Sequence, residues 1–216
     1  MTAEPVGGAG GRDGGRSASV GAAGPERLTA EDIIATLDLS PHREGGYFRE
    51  TYRSGLSVAT VNGKRATSTA CVYLLTGTGP SRFHRLRSDE LWLYHAGALA
   101  ELVLLPPMEG AAPAKPGRAG RLPEQRVIGP GSPYVLVPAG WWVAVRAVVG
   151  DQTDWGMGRA PERRWTSDRR TTHEYDWTLV SCVVTPGFEY ADFEMASREA
   201  LLRDYPLAKE VIEALT

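Results

Sequence analysis

The residues that could carry chemistry are concentrated in one stretch, GPSRFHRLRSDELWLYHAG (79–97). It places His84 near the end of one predicted strand and Glu90 at the start of the next, with a short polar turn between them. An antiparallel hairpin of this size brings the two side chains together if both point inward. The pattern therefore predicts an imidazole–carboxylate pair, which could serve as an acid/base pair or as two metal ligands.

Aromatic side chains accompany this pair in the sequence. By the two-residue period of a strand, Trp92 and Tyr94 share the face of Glu90, whereas Leu93 and His95 point the other way. We therefore expect an aromatic wall beside the pair. The candidate substrate-binding residues are Arg49, Phe83, Trp92, Tyr94 and Trp141.

A second polar cluster lies in the predicted strand 47–53. If the alternation holds there, Arg49 faces opposite to Glu50 and Tyr52. One of these sets enters the mouth of the barrel and the other meets a neighbouring subunit. The sequence leaves open which set does which.

The elements that must position these residues are mostly strands. Short runs rich in Val, Leu, Tyr and Trp, broken by Gly and Pro, fill residues 45–186, which favours an antiparallel sandwich or barrel. Thr29 as an N-cap predicts a short helix ending near Leu39–Pro41, and helix returns from Met195 onward. The predicted strands are Tyr47–Arg53, Ser68–Leu75, Arg82–Leu86, Leu91–His95, Ala98–Leu105, Gln125–Ile128, Tyr134–Val137, Trp142–Val148 and Trp177–Thr185.

The composition is that of a soluble globular protein, with 42% apolar residues, 23% charged residues and a formal net charge of −2. The charge argues against nucleic acid or an acidic membrane as a partner, and no apolar run reaches the roughly 18 residues that span a bilayer.

The first residues lack the apolar core of a secretory signal, and the only cysteines, Cys71 and Cys182, are expected to be free thiols. We therefore expect a cytoplasmic protein.

Three segments fall outside the strand pattern. Residues 1–26 are rich in Gly, Ala and Ser and are predicted to be a disordered tail, with residues 27–216 forming a single domain. Loop insertions are predicted at about 106–123 and 150–176. The second interleaves arginines with two tryptophans, so it is either a solvated insertion or a lid that closes on a substrate.

The spacing from His84 through Leu86 and Glu90 to Gly97, and the run Val137–Gly140, resemble the two signatures of the cupin superfamily. Four blocks more closely resemble its uncharacterised cupin_5 family, once labelled as a domain of unknown function. The resemblance implies an all-β, double-stranded β-helix (the cupin jelly-roll barrel) with a short N-terminal helix and C-terminal helices. It also implies a homodimer and similarity to sugar-nucleotide epimerases of the deoxysugar pathway. The blocks are LDLSPHREGGYFRETYRS (around 38–54), SRFHRLRSDELW (81–92), VPAGWW (137–142) and LVSCVVTPGFEYADFEMA (179–196).

The chain departs from the metal-binding cupin pattern, in which two histidines and a glutamate come from the first signature and a third histidine from the second. Here Leu86 and Val143 stand at two of the histidine positions. Only His84 and Glu90 remain as ligands, where a tight site needs three or four. A divalent metal is therefore not expected as a cofactor.

The leading hypothesis is a metal-independent isomerase, epimerase or lyase acting on a small polar, carbonyl-containing or sugar-like molecule. His84 acts as general base, Glu90 orients it and raises its basicity, and Tyr52 or Tyr73 donates a proton.

Two alternatives stay open. The first is a non-catalytic cupin whose aromatic pocket binds a small molecule for sensing or storage. The second is a metal enzyme that adds an unexpected ligand, such as His42 or His173, to His84 and Glu90.

Overall fold

The computed structural model describes residues 27–108, 122–149 and 175–216. The predicted disordered tail, most of the predicted 106–123 loop and nearly all of the predicted 150–176 loop lie outside these ranges.

A short helix, α1 (Ala30–Leu37), begins at the N-cap predicted from the sequence. The Thr29 hydroxyl accepts a hydrogen bond from the Asp32 N–H at 3.1 Å, and the Asp32 carboxylate accepts one from the Thr29 N–H at 2.9 Å. This reciprocal pair satisfies two amide donors that a helix start leaves free. The helix packs Ala30 and Ile33 against Leu74 and Trp177 of the larger sheet.

Thirteen strands make up the rest of the described structure, apart from the C-terminal helices and the turns. Each of the nine predicted strands is present, with boundaries that differ by at most two residues. The strands are β1 (Ser40–Pro41), β2 (Tyr47–Arg53), β3 (Ser57–Thr60), β4 (Gly63–Ala66), β5 (Thr69–Thr76), β6 (Ser81–Leu86), β7 (Asp89–Gly97), β8 (Ala100–Leu105), β9 (Glu124–Ile128), β10 (Tyr134–Val137), β11 (Trp142–Ala147), β12 (Trp177–Thr185) and β13 (Phe193–Met195).

The strands form two antiparallel sheets that pack face to face. The six-stranded sheet has the order β1-β2-β5-β12-β7-β10, and the five-stranded sheet has the order β13-β6-β11-β8-β9. The core between them includes Tyr73, Trp92 and Val180 from the first sheet and Leu102 and Val145 from the second. This is the antiparallel jelly-roll architecture expected from the sequence, and that prediction is confirmed.

The hairpin of β3 and β4 was not predicted. Its two strands pair from Ser57↔Ala66 to Thr60↔Gly63, but most of its residues are exposed. Neither strand therefore shows the apolar/polar alternation that reveals a half-buried strand. Gly63 at the turn has φ 103°, a conformation that favours glycine.

The chain ends in two short helices, α2 (Arg198–Asp204) and α3 (Lys209–Ala214), joined by a 3-10 turn at Pro206–Ala208. They pack against the outer face of the five-stranded sheet. The predicted helix start at Met195 is wrong, because residues 193–195 pair with β6 as strand β13. No helix in the described ranges is long and apolar enough to cross a membrane.

Candidate functional site

A cavity lies between the two sheets, lined by β2, β5, β7 and β12 on one side and by β6 and β13 on the other. The space open to the centre of a water molecule is about 60 Å³, enough for a few waters or a small organic molecule. Titratable side chains and aromatic rings share the wall. The titratable side chains are His42, Glu44, Glu50, Cys71, Tyr73, His84, Glu90 and Cys182.

His84, on β6, is held in one orientation and one tautomer. Its side chain is 2% exposed, and its Nδ1 lies 2.8 Å from the carbonyl oxygen of Arg82. Because a carbonyl oxygen only accepts, Nδ1 carries a proton, which leaves Nε2 as the ring atom that can gain or lose one. The imidazole stacks on Phe193 with ring centroids 5.4 Å apart, which fixes the plane of the ring.

Glu44 is a buried carboxylate placed among hydrogen-bond donors. It is 4% exposed, accepts a hydrogen bond from the Ser81 hydroxyl at 2.9 Å, and lies 3.4 Å from Nδ1 of His84 and 3.3 Å from Nδ1 of His42. Burial by itself would raise the pKa of Glu44. Attraction to His84 when its ring is protonated, the interaction with His42 and the Ser81 hydrogen bond outweigh burial, so the pKa of Glu44 is lowered.

A tight turn brings Glu44 into the cavity. Gly45 and Gly46 follow it with φ values of 118° and 64°, which glycine adopts at little cost. A Cβ on Gly45 would lie 2.2 Å from the carbonyl oxygen of Pro80, so no larger residue fits there. The Tyr73 hydroxyl donates to the Gly45 carbonyl, and the Arg82 N–H donates to the Glu44 carbonyl at 2.8 Å. These bonds hold the turn between β5 and β6.

Glu90, near the start of β7, lies in an electrostatic environment opposite to that of Glu44. It is 7% exposed, and its Oε2 has no hydrogen-bond partner among the described residues. Burial raises the pKa of Glu90, attraction to His84 opposes this, and the charge on Glu44 raises the pKa again, so that the net shift is upward. The cavity therefore displaces the pKa values of the two carboxyl groups in opposite directions, that of Glu44 downward and that of Glu90 upward.

Ion pairs border one side of the cavity. The Arg53 guanidinium donates to the Glu50 carboxylate at 2.8 and 2.9 Å and to the Glu189 carboxylate at 2.8 Å. Beside this group the Arg43 guanidinium lies 4.6 Å from the centre of the Tyr190 ring. The Arg53–Glu189 pair fixes the segment after β12 against β2, and the Arg43–Tyr190 contact fixes it against the turn before β2.

Three of the nine predicted site residues line the cavity: Tyr73, His84 and Glu90. Trp92 lies in the core and packs against Tyr73 with ring centroids 5.7 Å apart. Tyr94 and Trp141 pack at the edge of the same core. The predicted aromatic wall on β7 is thus part of the core, and the cavity takes its rings from elsewhere. These rings belong to Phe48, Phe188 and Phe193.

Phe83 faces away from the cavity. It precedes His84 on β6, and successive side chains of a strand point to opposite faces. Its fully buried ring packs with Leu201 and Ile212 of the C-terminal helices. Phe83 is therefore not part of the candidate site.

A bulge in β2 decides where Arg49 and Tyr52 lie. Arg49 pairs with Val72 and Glu50 with Cys71, and a register shift then inserts one residue before Tyr52. Directly opposite residues share a face, so Glu50 lies with Cys71 on the cavity side and Arg49 lies on the outer face. The inserted residue returns Tyr52 to the outer face, where it is 53% exposed. The predicted pairing of Tyr52 with Glu50 on one face is wrong, and Tyr52 does not reach the cavity.

Glu44 is the residue that the sequence interpretation missed. It lies between the predicted helix and the first predicted strand, where no periodicity assigns a side chain to a face. The glycine pair that follows it marks a tight turn, and this was the available signal. His42, considered only as an extra metal ligand, also lines the cavity.

The positions of the missing cupin histidines lie around His84. Leu86 lines the cavity, and Val143 pairs with His84 across β6 and β11. In the described ranges, no group of three or more His, Cys, Asp or Glu side chains is arranged to hold a metal ion. His173, the other suggested ligand, lies outside the described residues.

Comparison with known proteins agrees with this architecture. The model of the Cupin_5 family, described as cupin superfamily (DUF985), matches residues 31–196. The chain belongs to this family of cupins. A hypothetical protein from Leishmania major is 31% identical to this cupin, with a TM-score of 0.67, and the match covers 88% of this chain and 99% of that one.

Two further solved structures are similar to this cupin to different degrees. A structural-genomics target protein from Shewanella oneidensis is 28% identical, with a TM-score of 0.65 and coverage of 88% of this chain and 98% of that one. Oxalate decarboxylase from Bacillus subtilis is 14% identical over 83% of this chain and 37% of that one, and its TM-score of 0.43 is too low to support an argument about activity. No curated protein matches this cupin significantly.

Proposed function

We propose that this cupin catalyses a proton transfer on a small carbonyl-containing molecule, as an isomerase, epimerase or lyase. One observation carries the proposal. Two buried carboxyl groups share a cavity with His84, and their pKa values are displaced in opposite directions, that of Glu44 downward and that of Glu90 upward. Carboxyl groups whose pKa values are pushed apart allow one site to hold an acid and a base at the same pH.

His84 is the base in this proposal. Its Nε2 takes a proton from the carbon next to the substrate carbonyl, which turns the ring into an imidazolium. The imidazolium keeps its Nδ1–H directed at the Arg82 carbonyl and 3.4 Å from the Glu44 carboxylate, so Glu44 stabilises the positive charge as it develops. In this proposal Glu44, and not Glu90 as expected from the sequence, orients the His84 ring. A base placed in this way contributes about 10²–10⁴-fold in rate.

Glu90 is the acid. A protonated carboxyl group can donate to the carbonyl oxygen while negative charge develops there. Tyr73 was the other candidate proton donor, but its hydroxyl already donates to the Gly45 carbonyl, and burial raises its pKa well above the usual value. We therefore assign Tyr73 a positioning role, in which it holds the turn that carries Glu44.

The size and lining of the cavity limit the substrate. A space of about 60 Å³ suits a molecule of a few heavy atoms, or the reacting end of a longer one. Phe48, Phe188 and Phe193 provide an apolar wall for the carbon skeleton. The polar groups of the substrate would meet Glu44, Glu90 and His84.

Deuterium exchange tests the proposal across a panel of candidate substrates. The protein is incubated in D₂O with small aldehydes, ketones, hydroxyketones and keto acids, and proton NMR follows the loss of the hydrogen next to each carbonyl. We expect exchange of at least one compound by the native protein and at least 10²-fold slower exchange by His84→Gln. His95→Gln is the matched control, because His95 lies on an exposed face bonded to the Ser181 hydroxyl and should leave the rate unchanged.

Two results would count against catalysis by this site. Exchange that persists in His84→Gln would place the chemistry elsewhere. Binding of a panel compound without any exchange is the result expected of the non-catalytic alternative.

A further inference from the structure

The two cysteines of the chain lie directly opposite each other on neighbouring strands. Cys71 on β5 pairs with Cys182 on β12 in the antiparallel register, so both side chains point to the same face, and both line the cavity. Both are free thiols. Directly opposite residues have Cα atoms about 4.5–5.5 Å apart, within the roughly 4.4–6.8 Å that a disulfide spans. The backbone therefore already holds the two thiols at a separation that a disulfide can bridge.

We propose that Cys71 and Cys182 form a redox-active dithiol that hydrogen peroxide closes to an intramolecular disulfide. The Cys71 sulfur attacks one peroxide oxygen, the O–O bond breaks, and the other oxygen leaves as water with the thiol proton, giving a sulfenic acid on Cys71. The Cys182 sulfur then attacks the Cys71 sulfur, the S–S bond forms, and the S–O bond breaks with release of a second water. The two thiols lose two electrons, and one peroxide is reduced to two waters.

The exposure of the two thiols indicates which of them reacts with peroxide first. Cys71 is half-buried on the cavity wall, whereas Cys182 is 3% exposed. Hydrogen peroxide is little larger than water, so a cavity that admits a few waters admits it to Cys71. Burial raises the pKa of the Cys182 thiol, and the neighbouring Cys71 thiol adds to this, which makes Cys182 slow toward peroxide itself. Cys182 therefore reacts in the second step, in which its sulfur attacks the Cys71 sulfur of the same chain.

Oxidation would change the wall of the cavity. Two S–H groups, each a weak hydrogen-bond donor, would be replaced by an S–S bond that carries no proton. The reduced and oxidised forms would thus present different surfaces to a ligand beside Glu90. This inference stands on the geometry of the thiols and does not depend on the proposed proton transfer.

The native chain of 216 residues is suited to the test because it contains only two cysteines. The reduced protein, freed of reductant, is exposed to graded amounts of hydrogen peroxide, denatured, alkylated and measured by intact mass spectrometry. We expect both thiols to be lost together and the chain to become two hydrogens lighter. The chain should stay monomeric on non-reducing electrophoresis, and dithiothreitol should restore both thiols.

Two single variants serve as matched controls. Cys182→Ser removes the second sulfur, so Cys71 should stop at a sulfenic acid, which dimedone traps, or proceed to sulfinic acid. Cys71→Ser should leave the Cys182 thiol unreacted at the same dose. In the native chain, three results would overturn the proposal: two thiols that survive a dose sufficient to oxidise free cysteine, a disulfide-linked dimer in place of the intramolecular bond, or over-oxidised Cys71 beside a free Cys182.

Discussion

Replacement of Glu90 by Gln tests whether the cavity disfavours a carboxylate at this position. The unfolded chain releases the Glu90 proton at the ordinary pKa of a carboxyl group, whereas the folded protein holds it to higher pH. Stability is therefore lost as the pH rises from the ordinary pKa through the raised one, and the loss persists above it. Gln has nearly the same shape and cannot ionise, so Glu90→Gln should remove this loss.

The magnitude follows from the displacement of the Glu90 pKa alone, because Gln keeps a buried polar group at the same position. Each unit of displacement corresponds to about 1.4 kcal/mol. Since Glu90 is 7% exposed and burial is the main cause of the shift, we expect Glu90→Gln to raise the free energy of unfolding near pH 8 by about 1.4 kcal/mol for each unit by which the pKa is raised. The melting temperature should rise by about 2–4 °C for each kcal/mol. Near pH 4, where Glu90 is protonated in both states, we expect no gain.

Urea unfolding of the native protein and the variant between about pH 4 and pH 9 measures this difference. Glu194→Gln is the control, because the Glu194 side chain is 55% exposed and pairs with Arg85 at 2.8 Å on the surface. Its loss should destabilise the fold by at most about 1 kcal/mol. A Glu90→Gln variant that is less stable than the native protein at pH 8, or a gain that does not grow with pH, would refute the reasoning.

Three further changes have defined outcomes. Glu44→Gln should lower the free energy of unfolding by about 1–3 kcal/mol above the ordinary carboxyl pKa, and this effect should vanish in urea titrations as the pH falls through the lowered pKa of Glu44. Tyr205→Phe removes a buried hydroxyl that donates to the Pro106 carbonyl at 2.7 Å, and thermal unfolding should show a loss of about 1–3 kcal/mol. The homodimer stays a prediction. If a second copy covers the edge strand β10, where Tyr134 and Leu136 are 65% and 52% exposed, Leu136→Lys should convert a dimer to a monomer in light scattering.

The strands that could be predicted are those that bury one face. β5, β7, β11 and β12 contribute side chains to the core between the sheets, so their apolar and β-branched residues reveal them in the sequence. The hairpin of β3 and β4 is exposed on both faces and leaves no such pattern. Strand β13 was interpreted as the start of a helix, because three residues that complete a sheet edge are too few to show a period of their own.

Site residues could be predicted from the sequence where the alternation of a single strand determines which way a side chain points. His84 on β6 and Glu90 on β7 both line the cavity, as expected. The predicted antiparallel hairpin between their strands is wrong, because β6 and β7 belong to different sheets and lie on opposite sides of the cavity. The positions of Arg49 and Tyr52 depend on the bulge in β2, which an unaligned sequence does not reveal. Glu44 points into the cavity because of a turn that the Tyr73 hydroxyl stabilises. This hydrogen bond joins residues that are far apart in the chain. The local pattern therefore located His84 but not Glu44.

The proposed chemistry requires the two cavity carboxyl groups to be in opposite protonation states, with Glu44 ionised and Glu90 protonated. Infrared difference spectra near neutral pH measure this directly, because a protonated carboxyl group and a carboxylate absorb at different frequencies. The spectrum of the native protein minus Glu90→Gln should contain a protonated-carboxyl band, and that of the native protein minus Glu44→Gln should contain carboxylate bands. Carboxylate bands in both difference spectra would show two ionised groups in the cavity and would contradict the assignment of Glu90 as the acid.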